Sequence, residues 1–397
     1  KSTIGGRLCS GEALPPITIP AERFSGMNWP MASWGSRAVV HPGQSRKDHL
    51  RAALQHLSNP TRRHVYGHTG WREIDEEWCF LTSSGAIGRE GIEVDLGSSN
   101  LSKYALPKSA ENPVKAMGAS IRTLRVAPLR VSAPQWAAMY RAPLCSTLPA
   151  DFSEWVYGPT GSAKSSYLAV QLSHFGDFNW TTLPADWETT ANTLERRSFV
   201  AKDLPFAVDD FAPQPYQQRE FNYKASRLLR SQGNLSARGR LTRDLSEHTS
   251  FTPRGIIIST GETLPSGQSI LARTLIVKVG KGDIDISRLT AAQNEQALLP
   301  HAMTGYLQWL TPQIPSLRPL LEETFKSTRA EIFKAGQHLR VPAILANLWL
   351  GVVLPLQYAE EIGACSPSEA TDLKADIWEA LLTQGEEQGR AIERERP

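Results

Sequence analysis

Two rhythms of apolar residues divide the chain. From about residue 286 onward, four stretches repeat apolar residues at helical intervals: Ala291 to Leu310, Leu317 to Ala335, Val341 to Ile362 and Ser368 to Glu393. Ser366-Pro367-Ser368 supplies a start signal for the last of these. The middle of the chain instead holds short unbroken runs, Trp155 to Tyr157, Leu204 to Phe211, Gly255 to Ser259 and Thr274 to Val279, which read as buried strands. Helical patterns lie between them, at Tyr167 to Phe175, Thr190 to Lys202 and Glu220 to Arg230. Strand, loop and helix in alternation predict an α/β layer with a parallel sheet.

The first 148 residues follow neither rhythm. They are rich in Gly, Pro, Ser and Trp, with apolar runs such as Ala38-Val39-Val40 and Trp78-Cys79-Phe80-Leu81 between turn signals, so they read as β-rich. Gly70 to Trp78 alternates bulky and charged residues and predicts a hairpin with one buried face. One helix is expected over Ser45 to Leu57, with Ser45 as its N-cap and Leu50, Ala53, Leu54 and Leu57 on one face. Pro143 to Pro149 reads as a linker. The expected division is thus 1–148 (β-rich), 149–285 (α/β core) and 286–397 (helical bundle).

Composition narrows the class without naming a partner. A chain of 397 residues with 21% charged residues and a net charge of +3 is ordinary for a globular protein, so nucleic-acid binding must be argued from local clusters. No signal peptide is read at the start, which is Lys1 rather than Met. The most apolar stretch, Val341 to Leu356, contains Pro342, Asn347 and Pro355 and reads as a buried helix, so no membrane is expected. Cys9, Cys79, Cys145 and Cys365 form no C-x-x-C pair, and reduced thiols in a cytoplasmic protein are expected. His64 and His68 stand four apart, but Tyr66 and Gly67 between them argue for a strand and turn, against a shared metal face.

The chemistry concentrates in Gly158-Pro159-Thr160-Gly161-Ser162-Ala163-Lys164-Ser165-Ser166, between a predicted strand and a predicted helix. Glycines let backbone N–H groups converge on an anion, the helix start adds partial positive charge, and Lys164 and Ser165 can reach terminal phosphates and Mg²⁺. The strict pattern has glycine where Ala163 stands. About fifty residues on, a strand ends in Asp209-Asp210. Asp209 is placed to share the Mg²⁺ with Ser165, and Asp210 to orient the attacking water. The strand at Gly255 ends in Ser259-Thr260-Gly261-Glu262, where Thr260 is the candidate to sense the γ-phosphate. Arg273, just before the next strand, is a candidate arginine finger for a neighbouring subunit. Between Arg219 and Arg243 stand seven basic residues and one acid, Glu220. Such a run can be a solvated face, but the glycines at 233 and 239 predict a projecting loop or hairpin that sets Arg238, Arg240 and Arg243 against phosphates of a nucleic acid or of a neighbour's nucleotide.

Together these residues resemble a known family. Gly158 to Ser165 is similar to the Walker A loop of MCM-type AAA+ helicases, where alanine before the lysine is usual. Gly70-Trp71-Arg72-Glu73, Gly85-Ala86-Ile87-Gly88, Val208-Asp209-Asp210-Phe211 and Ser259-Thr260-Gly261-Glu262 resemble MCM-like helicases carried by phages, plasmids and other mobile elements. The resemblance implies an AAA+ core that binds ATP and Mg²⁺ at subunit boundaries of a ring, a hexamer, around single-stranded or forked DNA. It also implies primase or other replication proteins as partners, and a DNA-reaching hairpin at Arg238 to Arg243. The family's Walker B strand ends in Asp-Glu, and Asp210 departs from it. Two other readings stand beside a helicase: an ATP-driven switch acting on a protein partner, and a nucleotide-binding scaffold with little turnover.

Overall fold

The computed structural model describes residues 2–8, 10–58, 63–236, 240–241, 247–248, 251–333 and 340–394. Compactness divides the chain once, into residues 1–63 and residues 64–397.

In the first unit, strands β1 (Ser2–Arg7) and β2 (Ala13–Ile19) form an antiparallel pair, followed by helices α1 (Ala21–Phe24), α2 (Trp29–Trp34) and α3 (Arg46–Leu57). Ile19, Met27 and Trp29 make a small core, against which Leu50 and Leu54 of α3 pack as their spacing predicts. Two local expectations fail. Ser45 holds a left-handed backbone with φ of 61° and its side chain makes no capping bond. Ala38 to Val40 forms no strand.

The second unit opens with five short strands: β3 (Val65–Tyr66), β4 (Gly70–Ile74), β5 (Glu77–Thr82), β6 (Gly85–Ile87) and β7 (Glu93–Val94). Strands β4, β5 and β6 form an antiparallel meander. Asp75 and Glu76, both with positive φ, make the two-residue turn that matches strand twist. The Gly70-Trp71 pair docks this meander on the rest of the unit. Trp71 N donates to the buried Asp203 carboxylate at 2.9 Å, and its indole donates to the Pro143 carbonyl at 2.7 Å. A Cβ on Gly70 would lie 2.6 Å from the Lys202 carbonyl, so only glycine fits. Ser146 and Lys202 also donate to Asp203, each at 2.7 Å. Helices α4 (Pro113–Arg122) and α5 (Leu129–Arg141), absent from the β-rich reading of 1–148, follow. Pro143, Leu144 and Cys145 are buried, so the segment read as a linker is partly core.

The central layer is built from β8 (Ser153–Tyr157), α6 (Lys164–Leu172), β9 (Ala185–Asp186), α7 (Ala191–Val200), β10 (Pro205–Phe211), α8 (Gln218–Gly233), the two-residue strands β11 (Arg240–Leu241) and β12 (Glu247–His248), β13 (Ile256–Gly261), α9 (Gln268–Leu271) and β14 (Thr274–Lys278). Five strands run parallel in the order β14-β8-β13-β10-β9. All of their chain exits therefore lie along one edge of the sheet, which gathers distant polar residues into one row. Strands β11 and β12 pair antiparallel, a hairpin inserted before β13.

Helices α10 (Ile286–Asn294), α11 (Leu299–Leu310), α12 (Leu317–Ile332), α13 (Arg340–Glu361) and α14 (Pro367–Arg394) complete the unit. The start signal at α14 is a reciprocal capping box: Glu369 N donates to Ser366 Oγ, and Ser366 N donates to Glu369 Oε2. Helix α13 runs through Pro355 without ending and is long and apolar enough to cross a bilayer by length and composition, a test that a core helix also meets. Its most apolar window is 78% buried among protein. A Cβ on Gly351 would fall 2.1 Å from the Ala137 carbonyl, so α13 and α5 touch backbone to backbone. The buried Arg141 of α5 donates to Asn347 Oδ1 of α13 and to the Leu148 carbonyl.

Strand β8 carries an unusual core residue. Both carboxyl oxygens of Glu154 are buried with no hydrogen-bond partner among the described residues, and burial pushes its pKa up to about 8. In the unfolded chain the same carboxyl ionises near its ordinary 4.5. Between those values unfolding releases a proton, so stability falls as pH rises, by up to about 1.4 kcal/mol per unit. Glu154→Gln is expected to flatten this slope and to raise the thermal midpoint at pH above neutrality. Identical pH profiles of thermal unfolding for the two proteins would refute the assignment.

Candidate nucleotide site

Strand β8 ends at Tyr157, and the chain turns through Gly158 to Ala163 into α6. Gly158 is pinned between neighbouring strands: its N–H donates to the Gly261 carbonyl at 3.1 Å, and a Cβ here would fall 2.0 Å from the Val279 carbonyl oxygen. Gly161 and Ala163 both adopt positive φ, 76° and 58°. This explains the position at which the strict motif has glycine, since left-handed backbone costs alanine about 1–2 kcal/mol. The alternation turns successive amides toward one side. None of the backbone N–H groups from Gly161 to Ser166 finds an acceptor among the described residues. An uncapped helix start with a row of open amides fits a phosphate chain.

The Lys164 ammonium is nearly buried and lies within the loop, donating to the carbonyls of Gly158 and Pro159 at 2.7 and 2.9 Å and to Ser162 Oγ at 3.1 Å. Burial lowers its pKa from the usual lysine value, while the carboxylates of Glu262, Asp209 and Asp210 act the other way. Thr160 donates to Glu262 Oε1, joining the loop to the tip of β13.

Facing the loop, Asp209 Oδ1 accepts from Ser165 Oγ at 2.8 Å and from Thr260 Oγ1. Two hydroxyls from two other segments thus converge on one carboxylate oxygen. The pairing of β10 with β13 slips between Val208 and Phe211, and Asp210 sits in that irregularity with φ of 61°. Its N–H donates to Thr260 Oγ1 at 3.2 Å. The Asp210 carboxyl is held above the usual aspartate range, first by burial and then by the negative charges of Asp209, Glu262, Asp186 and Glu188. Beneath the acids lies a rigid aromatic floor, Trp155, Trp187 and Phe211, with ring centroids 5.0 to 5.5 Å apart. Trp187 donates through its backbone to the Asp209 carbonyl and through its indole to Ser259 Oγ.

No cluster of three or more metal-ligating side chains occurs among the described residues. That suits Mg²⁺ rather than a caged metal, because Mg²⁺ takes one or two protein oxygens and completes its shell with water and substrate phosphate. Ser165 and Asp209 supply such a pair.

A cleft of about 820 Å³ is lined by Leu124, Val126 and Ala127 on one side and by Asp283, Arg288 and Leu373 on others, and no residue of the loop lines it. Two hydrogen bonds connect its surroundings to those of the loop: Tyr167 of α6 donates to the Thr123 carbonyl, and Gly280, next to Val279, donates to Asp283. Sequence reading missed this cleft, whose walls lie far apart in the chain. It also gave no role to Glu262, although an acid directly after strand-tip hydroxyls is a readable signal.

Arg273 lies elsewhere. It precedes β14 at the end of the sheet opposite the loop, a five-residue strand or about 16 Å away. Its guanidinium donates to Ser269 and to Asn234 Oδ1, and burial lowers its pKa, helped by Arg340 and Arg230. The basic run also divides. Lys224 is buried against the carbonyls of Trp187 and Glu188, and Arg227 pairs with Glu195. Arg240 begins strand β11 of the hairpin, while Arg238 and Arg243 lie outside the described residues.

No protein-family model matches the chain, and no curated protein matches it in sequence. Among solved structures, SCCmec type IV Cch, an active helicase, is similar over 96% of this chain and 75% of its own, with a TM-score of 0.59 at 13% identity. The JCV helicase aligns over 67% of this chain and 65% of its own, at 16% identity and a TM-score of 0.31, too slight to bear on the fold. The chain therefore shares the fold of the Cch structure, an α/β arrangement in which a five-stranded parallel sheet is flanked by helices, with small N-terminal sheets and C-terminal helices.

Proposed function

We propose that this chain is an ATP-dependent DNA helicase or translocase of the MCM-like kind borne by mobile genetic elements, working in the cytoplasm as a ring, a hexamer, on single-stranded or forked DNA. The observation that carries the reading is the convergence of Ser165 and Thr260 on one carboxylate oxygen of Asp209, with a row of open amides in the loop that carries Ser165. A switch of that form responds to the charge of a terminal phosphate.

In this reading the amides of Gly161 to Ser166 hold the phosphates. Lys164 leaves the loop carbonyls to meet the β- and γ-phosphates, and the 820 Å³ cleft takes the nucleoside. Ser165 and Asp209 would hold Mg²⁺, which would supply positive charge that offsets the acids around the site. Asp210, with its carboxyl raised by its neighbours, takes the proton of the attacking water, and Thr260 couples the phosphate site to β13. Arg273, remote from its own loop, acts on the site of the neighbouring copy. The β11–β12 hairpin carries Arg238, Arg240 and Arg243 to the DNA phosphates, and primase or other replication proteins are the expected partners.

A regulatory switch acting on a protein partner is the second reading, favoured by the modest net charge of +3. The two separate in one assay. Single-stranded DNA is expected to raise steady-state ATP hydrolysis by the full chain; turnover that ignores DNA at low salt would favour the switch.

A further inference from the structure

The net charge of +3 conceals an uneven distribution. Residues 1–63 hold nine Lys and Arg against three Asp and Glu, a net charge of +6, whereas residues 64–397 hold 34 against 37, a net charge of −3. We propose that the N-terminal unit is itself a nucleic-acid-binding element, one that holds DNA by its phosphates without reading sequence. The choice of DNA as the anion rests on the function proposed above; the charge partition does not.

Two of the unit's three acids are already used; the third, Glu22, is exposed on α1. Glu12 pairs with Arg37, and Asp48 with Arg51. Arg7, Arg23 and Arg46 are exposed and have no partner among the described residues. Lys47 donates to Asn28 Oδ1 at 2.8 Å, which ties the start of α3 to the turn after α1. Gly26 in that turn lies within 3.9 Å of both the Arg23 carbonyl and the Asn28 side chain, measured from where its Cβ would stand. The start of α3, with Arg46 and Lys47, is thus tied to the turn that follows Arg23, and of the acids next to these residues in sequence Asp48 is paired with Arg51. Unpaired like charges repel one another, and a duplex carrying about one negative charge per 1.7 Å relieves that repulsion better than scattered acids on a protein. Guanidinium groups also match phosphate oxygens in pairs. An anionic membrane fits less well. Leu50 and Leu54 of α3 are turned toward the unit's own core, which leaves Leu57 as the one large apolar side chain of the helix that is exposed, too little to enter lipid.

The test uses the full chain with Arg7→Glu, Arg23→Glu and Arg46→Glu combined. Binding of a fluorescent DNA strand, followed through a salt titration, is expected to weaken about tenfold at low salt. The slope of log affinity against log salt should become shallower by about 2, as three lost phosphate contacts require. ATP hydrolysis without DNA should be unchanged. The matching Arg→Gln triple variant, which adds no new charge, should show the same loss of slope and covers the case in which charge reversal disturbs folding. Unchanged affinity and slope in both variants would overturn the proposal while leaving the proposed motor intact. Capture of wild type on phosphatidylserine vesicles, with DNA affinity indifferent to the substitutions, would replace it with a membrane surface. A wild-type chain that binds no DNA at low salt would remove both readings.

Discussion

Lys164→Ala is expected to reduce ATP turnover by at least about 10²-fold, the cost of losing one preorganised charge at a transition state. The present hydrogen bonds of Lys164 make the variant informative. Its ammonium is satisfied entirely by its own loop, through the Gly158 and Pro159 carbonyls and Ser162, and makes no ion pair that holds the fold together. Alanine is also a good residue for the first turn of α6. The far-ultraviolet spectrum and thermal midpoint should therefore stay near those of the wild type while phosphate release falls. Normal turnover in this variant would remove the loop from the chemistry.

Asp209→Asn is the second large effect. It is expected to lower turnover by about 10²- to 10³-fold while nucleotide binding survives, because the amides that hold phosphate lie on a different segment. Its stability should move the opposite way. Asp209 raises the pKa of Asp210 as one member of a group with Glu262, Asp186 and Glu188, and neutralising it relieves like-charge repulsion. The variant's thermal midpoint without Mg²⁺ should be equal to or above that of the wild type. A drop would mean that the Ser165 and Thr260 bonds to this carboxylate serve the fold rather than the reaction. Isothermal titration with ATP and differential scanning calorimetry on one preparation read both quantities.

The contrast between local and long-range information explains how much of the fold and the site was legible. The loop, the strand exits at Asp209 and Thr260, and the capping box at Ser366 depend on neighbours in sequence, and each stands where its pattern placed it. The alanine that breaks the strict motif is accounted for by its backbone, since Ala163 holds the left-handed conformation that glycine holds without strain.

What required three dimensions was different in kind. Lys224 and Arg227 belong to the basic run by sequence, yet Lys224, besides its ion pair with Glu220 one turn away, is buried against the carbonyls of Trp187 and Glu188, and Arg227 pairs with Glu195, partners about thirty residues or more away. Gly70 and Trp71 look like a motif of chemistry and act as a dock, because Asp203 lies buried beneath them. Helix α5, inside the segment read as β-rich, shares its core with α13, and no periodicity in either one announces the other. Ser45 had the right side chain for a cap, but a left-handed backbone turns it away. Asp210 combines both kinds of information. Its position after Asp209 was readable, whereas the slipped pairing that sets its conformation was not.

The central claim is that ATP hydrolysis at this loop moves DNA. Strand displacement from a forked duplex by the full chain, with ATP and in parallel with a non-hydrolysable analogue, tests it most directly. The account predicts a released strand with ATP, and none with the analogue or with Lys164→Ala. Sustained ATP hydrolysis with no strand released, from forks presenting either single-stranded polarity, would contradict it.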